Sequence, residues 1–284
     1  MTSIGGNFKI WRNNPAKNAW LAPRMCIHAP KVMRLPQVGK MPRIDVAAAP
    51  QMWHIYFNPR RMNEFNHMTD FDTRRMMMVD TQVRPSDVTK FPIIDAMLRV
   101  RRENFVPTAR REAAYMGENI DLGNGRVLLE PRTLAKMLDA LDISNDELVL
   151  DVGCALGYSS AIIAHMAAAV VAVEEDSDMI REAQEALVEA GIDNVILHEG
   201  PLAGGAAQHG PYDVVLVEGG VHHLPQALAD QIKEGGRVAC LFMQGALGEV
   251  RIGYKRDGQI SWRMAFNAGA AVLDGFAKEQ AFEF

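Results

Sequence analysis

Residues 147–158, Glu-Leu-Val-Leu-Asp-Val-Gly-Cys-Ala-Leu-Gly-Tyr, constrain this chain more than any other stretch. An apolar run ends in Asp151 and passes directly into a turn holding Gly153 and Gly157. That order is what a buried parallel strand feeding a ligand-binding turn requires. A helical pattern, Ser159 to Ala169, follows. It starts where backbone N–H groups are free to face a ligand.

The spacing of the glycines narrows the ligand. A phosphate-gripping loop needs Gly-x-x-x-x-Gly-Lys-Ser/Thr and a dinucleotide turn needs Gly-x-Gly-x-x-Gly. This chain has neither: Gly153 and Gly157 stand four apart with no lysine behind them. Glu174 closes the next apolar run, Val170 to Val173. An acid about twenty residues after the turn, at the end of the second strand, reads a ribose diol. Strand, glycine turn, helix and acid together resemble the S-adenosylmethionine (SAM) site of class I methyltransferases.

The net charge of −5 hides an asymmetry. Residues 1–67 carry ten Lys and Arg against two acids, whereas the rest carries an excess of acids. An acidic body argues against nucleic acid as the main substrate, because Lys and Arg contacts to phosphate dominate such binding. Seven of the fourteen prolines fall within residues 1–67, which breaks helices, and no alternation there sustains a sheet. The expectation is a flexible basic extension, separate from an N-terminal helical cap over 68–130 and an α/β core over 131–284. Three origins fit the extension: a targeting or nucleic-acid arm, a regulatory tail, or an upstream reading frame placed before a start at Met68. Its three tryptophans, Trp11, Trp20 and Trp53, are unusual for a disordered tail.

No apolar run reaches the roughly 18 residues a membrane span needs, and no secretory leader is visible. A cytoplasmic monomer with no membrane partner is the expectation. Cys26, Cys154 and Cys240 are far apart, so buried thiols are expected rather than a disulfide framework or a metal site. His222 and His223 are adjacent and lack a third ligand, so no metal is expected.

From Asp70 the pattern is orderly. Apolar positions 76, 79 and 83 predict an amphipathic helix over 70–83, broken by Arg84-Pro85-Ser86-Asp87. Of Met76, Met77 and Met78, only one or two can face the core. A second helix is predicted over Lys90 to Val100, with Ile93, Ile94, Met97 and Leu98 on one face. Towards the other end, Gly236 to Met243 reads as a fifth strand. Arg256-Asp257-Gly258 reads as a tight hairpin turn between alternating strands Glu249–Lys255 and Gln259–Phe266. Residues 268–284 look like a packing tail. The predicted class is α/β: a doubly wound, seven-stranded mixed sheet with N-terminal helices capping it.

Met78-Val-Asp-Thr-Gln-Val-Arg84, Ile94-Asp-Ala-Met97, Arg102 to Pro107, Ala114-Tyr115 and Gly123-Asn-Gly125 before Pro131 resemble the N-terminal half of the protein-L-isoaspartate O-methyltransferase family. The likeness runs over residues 76–250. It continues through Val195 to Gly200, Tyr212 to Gly220, Leu224-Pro-Gln-Ala-Leu228 and Ile232 to Arg237. It implies SAM as cofactor, bound by Asp151, Gly153, Gly157, Glu174 and Glu199, the last at the acid that contacts adenine. It also implies a segment from Gly123 to Pro131 that closes over the methyl donor, and isoaspartyl (or D-aspartyl) residues of damaged proteins as the acceptor.

The departures lie on the acceptor side. The family reads Gly-x-Gly-Gln-Thr-Ile-Ser-x-Pro where this chain reads Gly123-Asn-Gly-Arg126-Val127-Leu-Leu129-Glu-Pro131. Val127 replaces the family's Thr and Leu129 its active-site Ser. Arg126 or Arg132 is the expected substitute, since arginine holds a carboxylate bidentately. Glu218 stands where the family has a small or hydroxyl residue, and a carboxylate there either attracts the donor's sulfonium or repels an anionic substrate. Ala155 replaces a glycine and is tolerable only at negative φ. Two alternatives stay open: a different methyl acceptor, or a catalytically degenerate SAM-binding homologue.

Overall fold

The computed structural model describes residues 70–278, so the basic segment 1–67 lies outside the described residues. Residues 70–78 form a helix, α1, that continues as a π-turn over Val79–Val83. Its inward face keeps Val79 and Val83 of the three predicted positions but not Met76. Met76 and Met77 are exposed, whereas Arg75, Met78, Val79 and Val83 are buried. The reason is polar: Arg75 turns inward to donate from Nε to the Leu98 carbonyl at 2.8 Å, which rotates Met76 out. α2 (Phe91–Arg99) follows with Pro92 in its first turn, where the missing N–H does no harm. Ile93, Ile94, Ala96 and Met97 give it one buried stripe.

β1 (Ile120–Gly123) and β2 (Arg126–Leu128) form a separate two-stranded hairpin. Asn124 and Gly125 make its turn with φ of 50° and 74°, the doubly positive conformation that suits a two-residue hairpin. α3 (Pro131–Leu141) then leads into the main sheet.

That sheet grows from β3 (Leu148–Val152) and β4 (Ala169–Glu174), joined through α4 (Tyr158–Ala164). They pair in parallel, Leu148 opposite Ala169 through Val152 opposite Val173. Both are near-continuous apolar runs because helices and loops cover both faces of a parallel sheet; Val149, Leu150, Val171 and Val173 are fully buried. α5 (Ser177–Glu189) starts at Asp176, whose carboxylate caps the N–H groups of Asp178 and Met179. β5 (Val195–Glu199), β6 (Tyr212–Val221), α6 (Gln226–Asp230) and β7 (Ile232–Gln244) extend the parallel part. β8 (Leu247–Arg256) and β9 (Gln259–Asn267) pair antiparallel at the edge. Asp257 and Gly258, at φ 52° and 73°, make the expected turn between them.

The strand order β5-β4-β3-β6-β7-β8-β9 is the predicted seven-stranded mixed sheet. Chain direction across the sheet reverses at β3, with β4 on one side and β6 on the other. A crevice outside the carboxyl ends of strands at such a switch point is where open α/β sheets bind ligands.

The tail has a definite place. Gly220 bridges to Val272 in parallel, its N–H on Ala271 O at 2.7 Å, and Leu273 N–H returns to Gly220 O at 2.9 Å. His222 N–H reaches Phe276 O at 2.9 Å. Residues 271–276 therefore run across the end of β6. Gly219 and Gly220 allow this: a Cβ on Gly220 would lie 2.9 Å from two tail carbonyls.

Candidate functional site

The end of β3 carries the polar centre of the crevice. Asp151 is fully buried, and Oδ2 accepts the hydroxyls of Ser159 and Ser160 at 2.7 and 2.6 Å. Its Oδ1 has no partner among the described residues. The turn that follows needs its glycines: Gly153 and Gly157 sit at φ 80° and 88°. Ala155 departs from expectation, since its φ is 47°. A side chain in left-handed backbone costs about 1–2 kcal/mol, and the turn adopts it to aim the Ala155 N–H at Glu174 Oε2, 3.1 Å away.

Glu174 ends β4 with no exposed surface and stands directly opposite Glu199 of β5. Glu199 itself is exposed at the strand end. The two acids therefore lie level beside the glycine turn, as a ribose reader and an adenine contact would. Glu218 lies one residue beyond the last β3–β6 pair, Val152 with Val217. It is buried, and its Oε1 has no partner among the described residues. Burial, reinforced by the neighbouring Asp151 charge and opposed by Arg102, holds the Glu218 carboxyl well above the ordinary glutamate range. Burial raises Asp151 in the same direction, although two serine hydroxyls favour its charged form. Two buried carboxyl oxygens at adjacent strand ends, Asp151 Oδ1 and Glu218 Oε1, are thus left without a partner among the described residues.

On the acceptor side, Arg126 and Arg132 do not come together. The Arg126 side chain is 2% exposed and turned to the donor side. Its Nε meets Glu174 Oε1 and Oε2 at 3.1 and 3.0 Å, and its Nη2 meets Glu175 at 2.7 Å. Arg132 is half-buried, 3.6 Å from Glu130 and stacked over Phe266. Leu129, at the family's Ser position, is completely buried, and Val127 is half-buried.

The cation that does lie under this segment is Arg102. It has no exposed surface, and it donates from Nε to Ala114 O and from Nη2 to Leu129 O, both at 2.7 Å. Its guanidinium lies 4.7 Å from the Tyr158 ring centre and is attracted by Glu218, while Nη1 has no hydrogen-bond partner among the described residues. The residue reading passed over Arg102 as part of a helix-ending block. No local pattern in the Arg102-Glu-Asn-Phe-Val-Pro107 block marks the burial of Arg102, since a lone arginine three residues before Phe105 ordinarily stays exposed. Cys154 and Cys240 are buried free thiols, as expected. Cys26 lies outside the described residues.

Comparison with known proteins agrees with this geometry. The profile of the protein-L-isoaspartate(D-aspartate) O-methyltransferase (PCMT) family matches residues 74–263. Protein-L-isoaspartate O-methyltransferase 2 of Anaeromyxobacter sp. is 33% identical, covering 64% of this chain and 74% of the relative. A relative of the same name from Pelobacter propionicus is 30% identical, covering 67% and 84%. Among solved structures, a Plasmodium falciparum protein of this description, crystallised with S-adenosyl-L-homocysteine, superposes with a TM-score of 0.62. It covers 71% of this chain and 98% of that one at 18% identity, which speaks to the fold. The profile spans the hairpin, the glycine turn and both strand-end acids. The chain belongs to the protein-L-isoaspartate(D-aspartate) O-methyltransferase family.

Proposed function

We propose that this chain is a SAM-dependent carboxyl methyltransferase that esterifies the α-carboxylate of L-isoaspartyl or D-aspartyl residues in damaged proteins. The observation that carries the reading is the level pair Glu174 and Glu199 beside the Gly153–Gly157 turn, in a chain of this family. The unpartnered acceptors Asp151 Oδ1 and Glu218 Oε1 support the fit of the cofactor. Glu174 would take the ribose hydroxyls, Glu199 the adenine, and Asp151 and Glu218 the cationic end. When bound, SAM supplies an electrophilic methyl group on a sulfonium.

The chain's own task is then positioning. An isoaspartyl α-carboxylate is ionised at neutral pH, so no side chain has to remove a proton. Neither family hydroxyl is present at Val127 or Leu129 to hold it. Arg102 takes that role in this reading, because Nη2 already holds the backbone of Leu129 and Nη1 is unused. The burial of Leu129 excludes water from the same place. No described helix is long and apolar enough to cross a membrane.

The degenerate-homologue reading has one observation in its favour, the Arg126 side chain on Glu174. An aged protein rich in isoaspartate and the same protein freshly prepared separate the readings. Labelled methyl from SAM should appear in proportion to isoaspartate content. Equal labelling of both samples points to another acceptor, and no labelling to a degenerate site.

A further inference from the structure

The β1–β2 hairpin is docked by its tip onto three successive acids, Glu174 at the end of β4 and Glu175 and Asp176 after it. Arg126 reaches Glu174 and Glu175, and Asn124 Nδ2 donates to Asp176 Oδ2 at 2.6 Å. Glu174 has little capacity left. Oε1 accepts the N–H groups of Glu175 and Asp176 at 2.9 and 3.2 Å, Oε2 accepts that of Ala155 at 3.1 Å, and Arg126 Nε bridges both oxygens. A carboxylate offers about four lone-pair sites, of which three backbone N–H groups take three; with Arg126 in place no ribose hydroxyl finds an acceptor on Glu174, and its withdrawal frees the site beside Ala155 N–H on Oε2.

We propose that Arg126 is a built-in competitor for the donor's ribose position, so that the site fills only when the hairpin tip leaves Glu174. This rests on the assignment of SAM to the site. The hairpin is made for such a movement. Its root is held independently by Asn119, whose Oδ1 accepts Glu130 N–H at 2.8 Å and whose Nδ2 donates to Gly269 O at 2.7 Å. The contacts that tie Arg126 and Asn124 to the acids are made by side chains alone. Glu175 is 37% exposed at its side chain, so the guanidinium keeps a hydrated partner after giving up Glu174. A buried carboxylate stripped of its cation is unfavourable, which keeps the tip down until hydroxyl donors replace it. The apparent donor affinity is the intrinsic one reduced by the fraction of open chains.

The test is calorimetric titration of SAM into wild type, Arg126→Gln and Glu175→Gln, with hydrogen exchange of residues 120–128 as a second readout. Arg126→Gln is expected to bind on the order of tenfold more tightly than wild type, whereas Glu175→Gln, which removes the partner that holds Arg126 once it has left Glu174, is expected to bind no more tightly than wild type. Adding SAM to wild type is expected to speed exchange at 124–127. Should Arg126→Gln fail to fold, Asn124→Ala carries the same expectation, because it removes the tip's bond to Asp176. Equal affinities with unchanged exchange, or weaker binding by Arg126→Gln, overturn the competitor while leaving the donor assignment standing. No binding by any of the folded proteins overturns both.

Discussion

Arg126 and Glu174, at the start of β2 and the end of β4, form an ion pair buried to 2% and 0% exposure at its side chains, with Nε 3.0 Å from Oε2. This pair moves Arg126 from the acceptor half of the site to the donor half. It also leaves Arg102 as the buried cation beneath Leu129.

Replacing Arg102 by Lys keeps a charge but not the planar fork that holds Ala114 O and Leu129 O. The expected result is a fall in kcat/KM for an isoaspartyl peptide on the order of a hundredfold. SAM affinity, measured by calorimetry, should stay near the wild-type value. A parallel loss of SAM affinity would instead mark a purely structural role for Arg102.

Ala155 carries a side chain where the turn runs at φ 47°. Ala155→Gly removes the clash of Cβ with the following carbonyl, less the extra chain entropy of glycine, a net gain of about 0.5–1 kcal/mol. Urea unfolding should show a raised midpoint. An unchanged or lowered midpoint contradicts the left-handed turn.

Glu218 gives a pH signature. Burial lifts its folded-state carboxyl above the unfolded value of 4.5, so the folded chain binds the proton more tightly. Stability contributed this way is present below the unfolded value and is lost as pH rises towards the folded one, at up to about 1.4 kcal/mol per pH unit. Asp151 shifts in the same direction, so the informative quantity is a difference. Denaturation of wild type and Glu218→Gln near pH 5 and near pH 7 should show the variant losing less stability over that interval. Parallel profiles contradict the assignment.

Gly220 is the contact point for the tail. A Cβ there would meet Met243 at 2.7 Å and the carbonyls of Ala270 and Ala271 at 2.9 Å. Backbone carbonyls cannot step aside as a flexible side chain can, so Gly220→Ala should destabilise by about 1–3 kcal/mol. Proteolysis should cut earlier at residues 271–276. Wild-type stability and protection contradict the close approach.

The glycine turn, the acid Glu174 and the seven-stranded mixed sheet are legible because period, apolar runs and turn chemistry are local properties of the chain, whereas Glu199 is picked out by the family resemblance. The side-chain partners are not legible. Arg126 was read as facing the acceptor, yet what it meets lies forty-eight residues on, a contact no local pattern encodes. The Asn124-Gly125 hairpin was missed although Asn-Gly is a strong turn signal, because β2 is only three residues long and shows no alternation. Met76 was assigned to the buried face because apolar period alone gave no weight to a buried arginine at Arg75. The place of residues 271–276 across β6 depended on Gly219 and Gly220, which read only as the end of a strand.

The most direct measurement is transfer of tritiated methyl from SAM to one peptide in isoaspartyl and ordinary aspartyl forms. The account expects base-labile label on the isoaspartyl peptide and background on the other, because a carboxyl ester forms only where the acceptor fits. Base-stable label, or equal label on both peptides, would contradict it.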